Sequence, residues 1–75
     1  MTNEVKVMSL AARFKTRRTE LGMTQVEVAN EAGVSQQSIE SIESGRTRKP
    51  RSLLDLARAL KCSPEWLLNG RNVMP

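Results

Sequence analysis

The chain has 75 residues, of which 39% are hydrophobic and 27% charged, so it can form one small domain with a single core of limited size. No segment approaches the ~18 apolar residues of a membrane-spanning helix and no signal peptide is recognisable, so we expect a soluble cytoplasmic protein without a membrane partner. A net charge of +4 favours a polyanionic partner. With one cysteine, Cys62, and no histidine, the chain lacks the usual zinc ligands and catalytic triads, so we expect no enzyme, metal, cofactor or small-molecule ligand.

The first helix is predicted from Ser9 to Leu21, with Gly22 as its stop. Residues 1–8 before it are mixed in character and are predicted to be a flexible leader. The helix carries an apolar stripe made of Leu10, Phe14 and Leu21.

Arg18 lies on this same stripe, where a charge needs either a partner or a route to water. Glu43 follows two isoleucines on the buried face of a later predicted helix, so we predict a partly buried Arg18–Glu43 ion pair. The alternative is that both side chains extend independently to solvent. Some guanidinium donors of a paired Arg18 could still reach a phosphate.

The segment from Thr24 to Gly45 predicts two short helices separated by a tight turn. Thr24 can cap the first of them together with Glu27, three residues later, and Ser35 can cap the second. Gly33 between them can adopt the positive φ that the turn requires. This is the layout of a helix-turn-helix that reads duplex DNA, and the alternative is a plain helical hairpin.

The second helix of this segment would present its first turn to the base edges of a major groove. Gln36 and Gln37 lie there, and a glutamine amide can pair with N7 and N6 of adenine, worth roughly 1 to 3 kcal/mol of discrimination. Ser41, one turn later on that face, is shorter and less discriminating. Ser35 could touch a thymine methyl group or a phosphate.

Basic residues flank the predicted reading helix but are missing from residues 19–45, which carry only acidic charges. Phosphate attraction is therefore expected from two clusters, and the alternative is that these residues are simply solvated. The clusters are Arg13, Lys15, Arg17 and Arg18, and then Arg46, Arg48, Lys49 and Arg51. Contacts to the DNA backbone are also expected from Thr24, Gln25 and Ser44, and Arg51 could instead enter an A·T-rich minor groove.

Two further helices complete the predicted fold, one capped by Ser52 and one capped by Ser63 with Pro64 at its first position. The first has an apolar face made of Leu53, Leu56, Ala57 and Leu60, and the second is followed by a predicted loose tail at residues 71–75. Trp66 is assigned either to the core or to a subunit interface. No strand-like alternation appears, so we predict an all-α domain at residues 9–70.

The stretch SQQSIESIESGRTRKPRSLLDLARAL followed by SPEWLLNG resembles the DNA-binding domains of the lambdoid phage repressor and Cro family, those of phage 434 in particular. The resemblance runs from about Ser9 to Gly70. It implies a compact five-helix, lambda-repressor-like domain that binds palindromic operators in double-stranded DNA as a homodimer. It also implies repression of transcription in a bacterial host during the choice between lysogenic and lytic growth. Half-sites would lie roughly 34 Å apart.

The resemblance also implies roles for individual residues. It places Gln36, Gln37 and Ser41 at base-reading positions, matches Arg18 and Glu43 to the family's buried pair, and places self-association around Ser63, Pro64 and Trp66. The backbone or minor-groove positions are Thr24, Gln25, Ser44, Arg46, Arg48, Lys49 and Arg51. Ser41 departs from the longer amide of the phage 434 repressor domain that the sequence resembles, so the inner base preference of the operator is left open. The family pattern does not explain the leader.

Several alternatives stay open. The chain could be the amino-terminal domain of a longer repressor, although we favour a Cro-type protein because a chain of this length could function alone. It could also be a helix-turn-helix antitoxin or another prokaryotic regulator, or a protein-interaction module. The operator sequence and the oligomeric state without DNA are left open as well.

Overall fold

A computed structural model describes residues 9–71 of the chain, and five helices follow one another in that range. They are α1 (Leu10–Glu20), α2 (Gln25–Ala32), α3 (Gln36–Glu43), α4 (Leu53–Ala59) and α5 (Pro64–Asn69). The predicted all-helical fold with five helices is confirmed. The predicted leader at residues 1–8 and residues 72–75 of the predicted tail lie outside the described residues.

Side-chain caps begin α2 and α3 as their sequences predict. The Thr24 hydroxyl accepts from the Glu27 N–H at 3.1 Å, and the Thr24 N–H donates to the Glu27 carboxylate at 2.8 Å. The Ser35 hydroxyl accepts from the Ser38 N–H at 3.1 Å. Such caps satisfy N–H groups that the first turn of a helix leaves without partners, and each stabilises the helix by about 1 kcal/mol.

The prediction that Ser52 caps α4 with its side chain is wrong. Ser52 occupies the residue before the helix, but its side chain forms no cap hydrogen bond. Its backbone has φ −95° and ψ 33°, whereas Ser63, which does cap α5, has φ −73° and an extended ψ of 137°. The hydroxyl is directed toward the first turn of the helix from the extended conformation, and Ser52 instead enters α4 from a turn.

The turn between α2 and α3 depends on one glycine. Gly33 has φ 75°, in the left-handed region, and the next residue, Val34, donates its N–H to the Ala29 carbonyl at 3.0 Å. A Cβ at position 33 would meet no heavy atom within 4 Å, so the backbone conformation rather than space requires glycine here. The sharp reversal packs α2 against α3, and Ala29 of α2 is buried.

The core lies where the five helices meet, and its fully buried side chains come from every one of them. They are Phe14, Val28, Ile39, Ile42, Leu56, Leu60 and Leu67. Each contributes roughly 1.5 to 3 kcal/mol relative to an exposed side chain. Trp66 is half-buried and packs against the edge of this core, so it remains partly available for another contact.

Two arginines of the predicted first basic cluster, Arg13 and Arg17, donate to main-chain carbonyls within the protein, which the sequence did not predict. Arg13 is 8% exposed and donates to the Leu67 carbonyl at 3.0 Å and the Leu68 carbonyl at 2.8 Å, at the end of α5. Arg17 is half-buried and donates to carbonyls at the end of α4. The last carbonyls of a helix have no partner within it, and a guanidinium group can satisfy two of them at once.

Candidate nucleic-acid interface

The face of α3 that points away from the core is polar and uncovered. Gln36 and Gln37 are exposed, while Ile39 and Ile42 on the opposite face are 0% and 2% exposed. Ser41 is half-buried. The burial of the two isoleucines fixes the rotation of the helix about its axis, so both glutamine side chains are presented to solvent from its first turn.

Ser35 is exposed at the start of α3, but its hydroxyl is already engaged. It accepts from the Ser38 N–H and lies 3.0 Å from the Ser38 hydroxyl. A hydroxyl has two acceptor lone pairs and one donor hydrogen, so these two bonds leave it limited capacity for a further contact. Among the predicted base-reading residues, Ser35 therefore has a structural role as well.

A groove of about 420 Å³ runs between α3 and the segment that leads into α4. It brings three predicted base-reading residues together with one predicted minor-groove residue, and both polar and apolar side chains line it. Its lining includes Ser35, Gln37, Ser41, Ile42, Thr47 and Arg51. Gln36 is not among the lining residues, so the two glutamines face different surroundings. The sequence did not single out Thr47, which carries no charge or amide that would signal such a position.

The predicted partners Arg18 and Glu43 are in contact. Arg18 Nε donates to Glu43 Oε2 at 2.6 Å, and Arg18 Nη2 donates to Glu43 Oε1 at 3.0 Å. The two side chains are 12% and 6% exposed, so this bidentate pair is shielded from water. The hydrogen bond to Glu43 raises the pKa of Arg18 above its ordinary value, although burial acts in the opposite direction.

The pair extends into a small network at the start of α2. Arg18 Nη1 donates to the Met23 carbonyl at 2.9 Å, and Gln25 Nε2 donates to Glu43 Oε1 at 3.2 Å. One amide N–H of Gln25 is therefore used inside the protein, and the amide carries a second N–H and a carbonyl oxygen besides. The hydroxyl of Thr24 is likewise occupied, by the α2 cap. The network ties α1, α2 and α3 together beside the exposed face of α3.

The loop after α3 carries the second basic cluster, and all four of its members are exposed. They are Arg46, Arg48, Lys49 and Arg51. The loop begins with a compact turn in which the Ser41 carbonyl accepts from the Arg46 N–H at 2.9 Å and the Thr47 N–H at 3.1 Å. The Ser44 hydroxyl donates to the same carbonyl, and Arg46 Nε donates to that hydroxyl at 3.2 Å. The charge of Arg46 is thus anchored to the end of α3, which carries no positive charge itself.

The three predicted self-association residues lie together at the start of α5, and all are half-buried. The Ser63 hydroxyl accepts from the N–H groups of Glu65 and Trp66, each at 3.1 Å, and so caps the helix. Ser63 and Trp66 also line a groove of about 290 Å³ with Arg17 and Cys62, and Pro64 occupies the first helical position. The sequence did not predict that Arg17 would reach this surface.

Residues 9–71 contain no group of three or more His, Cys, Asp or Glu side chains placed to hold a metal ion. In the same range, no helix has the length and apolar character needed to cross a membrane.

A helix-turn-helix family model matches residues 14–67, which is most of the chain. The transcriptional regulator PrtR of Pseudomonas aeruginosa is 40% identical over 62 residues, covering 83% of this chain and 24% of PrtR. The regulator DicA of Escherichia coli is 32% identical over 68 residues, covering 89% of this chain and 50% of DicA. Repressor protein C2 of Salmonella phage P22 is 36% identical over 62 residues, covering 81% of this chain and 29% of C2.

The chain thus spans between 24% and 50% of the length of these relatives. Their names are those of transcriptional regulators and a repressor, in agreement with the expectation that the chain is not an enzyme.

Two solved structures share the fold. The crystal structure of the P22 c2 repressor in complex with a synthetic operator superimposes with a TM-score of 0.80 at 33% identity, covering 87% of this chain and all of that one. The solution structure of the P22 c2 DNA-binding domain gives a TM-score of 0.76 at 34% identity, covering 84% of each chain. The chain belongs to the helix-turn-helix family, and its five helices have the lambda-repressor-like arrangement.

Proposed function

We propose that this chain is a sequence-specific binder of double-stranded DNA that represses transcription, with α3 lying in the major groove of an operator. The observation that carries the proposal is the exposed first turn of α3, where Gln36 and Gln37 stand free of the core beside an exposed basic loop. An α-helix fits the major groove of B-DNA, and its first turn meets the base edges. The P22 c2 relative has been solved on an operator, which supports the same docking here.

The two glutamines and Ser41 are proposed to read the bases. Each glutamine amide can accept from N6 and donate to N7 of an adenine. Gln37 and Ser41 line the same groove, which Gln36 does not line. Ser35 would contribute a weaker contact, because its hydroxyl already serves as a cap.

The exposed basic loop is proposed to supply most of the affinity by contacting phosphates. Arg46, Arg48 and Lys49 bring positive charge beside α3, which has none, and Arg51 faces the groove next to Gln37. Phosphate contacts fix the register of a protein on DNA without reading its sequence. Arg18, Thr24, Gln25 and Ser44 complete the proposed backbone contacts, with Arg18 also anchored to Glu43.

The operator is proposed to be a two-fold palindrome bound by a homodimer, with self-association around Ser63, Pro64 and Trp66. Their position at the start of α5, half-buried and beside a groove, supports a role in contact with a second copy. A temperate phage in a bacterial cytoplasm is the proposed setting, supported by the similarity to the P22 repressor. The similarity to PrtR and DicA supports a second candidate, a bacterial regulator that uses the same DNA contacts.

Selection of bound duplexes from a random library tests the proposal, followed by a titration of the winning duplex with salt. We expect winners with two-fold symmetry and an affinity that falls steeply with salt, because several phosphates are neutralised. A double variant, Q36A with Q37A, should keep the salt dependence but lose the preference for the winner. Asymmetric winners with a flat salt response would contradict the proposal.

A further inference from the structure

Helix α1 carries three arginines, and each holds a different part of the molecule. Arg18 contacts Glu43 of α3, Arg13 contacts the end of α5, and Arg17 contacts the end of α4. The contact of Arg18 belongs to the proposed DNA interface. The contacts of the other two reach across 43 to 55 residues of sequence and join α1 to main-chain carbonyls at the ends of α4 and α5.

Arg17 donates hydrogen bonds to two successive main-chain carbonyls at the junction between α4 and α5. Its Nε donates to the Leu60 carbonyl at 2.8 Å, and its Nη2 donates to the Lys61 carbonyl at 3.0 Å. Lys61 has φ 54°, a left-handed conformation that only a minority of residues other than glycine adopt. A planar guanidinium held at two points restricts both the distance and the angle between α1 and this junction.

Arg13 makes an equivalent contact at the other end of α5, where the chain passes very close. A Cβ placed on Gly70 would lie 3.1 Å from Arg13 Nη1, and Gly70 has φ 78°. The helix α5 is therefore held to α1 near both of its ends, by Arg17 just before its start and by Arg13 at its finish.

The junction between α4 and α5, which Arg17 contacts, adjoins the proposed self-association surface. Arg17 lines the same groove as Ser63 and Trp66. Arg17 and Arg18 are adjacent residues of α1, so the helix that Arg17 joins to the Leu60 and Lys61 carbonyls is also the helix that Arg18 joins to Glu43 on α3. The reading helix and the start of α5 are thereby attached to one rigid element.

We propose that Arg17 is a positioning residue that sets the spacing between the two half-sites that the protein accepts. The inference rests on the proposed function, since it concerns a two-fold operator bound by two copies. Inserting one base pair between half-sites moves the second by about 3.4 Å and turns it by roughly 35°. If α5 is fixed relative to α3, a dimer that associates through α5 cannot place both α3 helices on the displaced half-sites. If α5 can move, the dimer can bind both of them.

The test compares the wild type with Arg17→Gln, Arg17→Lys and the control Lys15→Gln. Lys15 is exposed on the same helix, so its replacement removes the same charge without touching α4. Affinity is measured for three duplexes derived from the selected operator, one with its own spacing, one with an inserted base pair and one with a single half-site.

We expect the wild type and Lys15→Gln to lose at least about tenfold in affinity on insertion, and Arg17→Gln to lose less than about threefold. Each variant's loss on insertion is compared with its own affinity for the single half-site, so that any effect of the removed charge on phosphate attraction cancels. Arg17→Lys should lie between wild type and Arg17→Gln, because an ammonium group keeps the charge but cannot span both carbonyls.

The inference would be overturned if Arg17→Gln lost as much affinity as the wild type when the base pair is inserted, and Arg17 would then only stabilise the fold. If Arg17→Gln does not fold, the same comparison is made with Arg17→Lys. The inference would also be overturned if Arg17→Gln bound the intact operator no more tightly than a single half-site, because self-association itself would then be lost. Failure of the wild type to bind any two-fold duplex would instead refute the proposed function.

Discussion

Arg18 and Glu43 lie 25 residues apart in the sequence and form a bidentate ion pair whose shorter contact is 2.6 Å. The pair joins the first helix to the third, and Gln25 adds a contact from the second. Because both side chains are shielded from water, the pair differs from an exposed salt bridge such as Asp55–Arg58, where solvent competes for each group. The orientation of α3 depends on this buried contact together with the packing of Ile39 and Ile42.

Replacing Glu43 by glutamine should lower the free energy of unfolding by about 3 kcal/mol, because it leaves the Arg18 charge buried without its counter-charge. The raised pKa of Arg18 means that the arginine's contribution is fully present at every pH below its unfolded pKa, so the loss should be seen across neutral pH. Denaturant unfolding between pH 6 and pH 8 provides the measurement. Glu40→Gln, at an exposed position of the same helix, is the control, and equal stability of the two variants would rule out a stabilising pair.

Replacing Gln37 by alanine should relax the preference at one base position in each half-site, at a cost of about 1 to 3 kcal/mol for the preferred base. The amide that would distinguish adenine is removed, while the phosphate contacts stay. Arg48→Ala is the contrasting variant, expected to weaken all sequences alike and to reduce the salt slope by about 1. Binding to single-base operator variants separates the two effects, and a uniform loss in Gln37→Ala would argue against base reading by this residue.

Replacing Gly33 or Gly70 by alanine should destabilise the protein to different extents. The φ angles are 75° and 78°, so both variants incur the same left-handed strain, about 1 to 2 kcal/mol. Only at Gly70 does the new Cβ also approach Arg13 at 3.1 Å, and Arg13 is held by two carbonyls. We therefore expect Gly70→Ala to cost more than Gly33→Ala in denaturant unfolding. Equal losses would mean that Arg13 moves aside without cost.

The thiol of Cys62 should react slowly with disulfide reagents at pH 8.5. Burial raises its pKa above the ordinary value of 9.0, although the charge of Arg17 acts in the opposite direction. The folded protein should therefore react more slowly than the denatured protein, with the midpoint of its rate profile above about pH 9. Rates that match between the folded and denatured protein would contradict this.

The raised pKa of Cys62 makes the free energy of unfolding depend on pH in the alkaline range. A raised folded-state pKa gives a contribution that is complete below the unfolded pKa and is lost as the pH rises, because the unfolded thiol ionises first. Stability should fall more steeply above about pH 9 in the wild type than in Cys62→Ala. The chain has no tyrosine, so no phenol titrates in that range. Parallel curves for the two proteins would show that Cys62 does not contribute.

Local features were predictable from the sequence because their causes lie within a few residues. The capping box of Thr24 and Glu27, the Ser35 cap and the left-handed Gly33 each join groups at most five residues apart. Ser52 shows the limit of this reasoning, since a serine caps only when its own backbone is extended, and the preceding turn decides that. The Arg18–Glu43 pair was predictable over a longer distance, because each charge interrupts an apolar stripe.

The sequence by itself determined the five helices, the identity of the turn residues and the amphipathic face that makes Gln36 and Gln37 available. Only the tertiary structure decided that Arg13 and Arg17 hold helix ends while Arg46, Arg48, Lys49 and Arg51 face solvent. The physical reason is that their acceptors are main-chain carbonyls, which every residue carries. Helix ends expose such carbonyls wherever packing places them, so no side-chain pattern identifies which arginine will reach them.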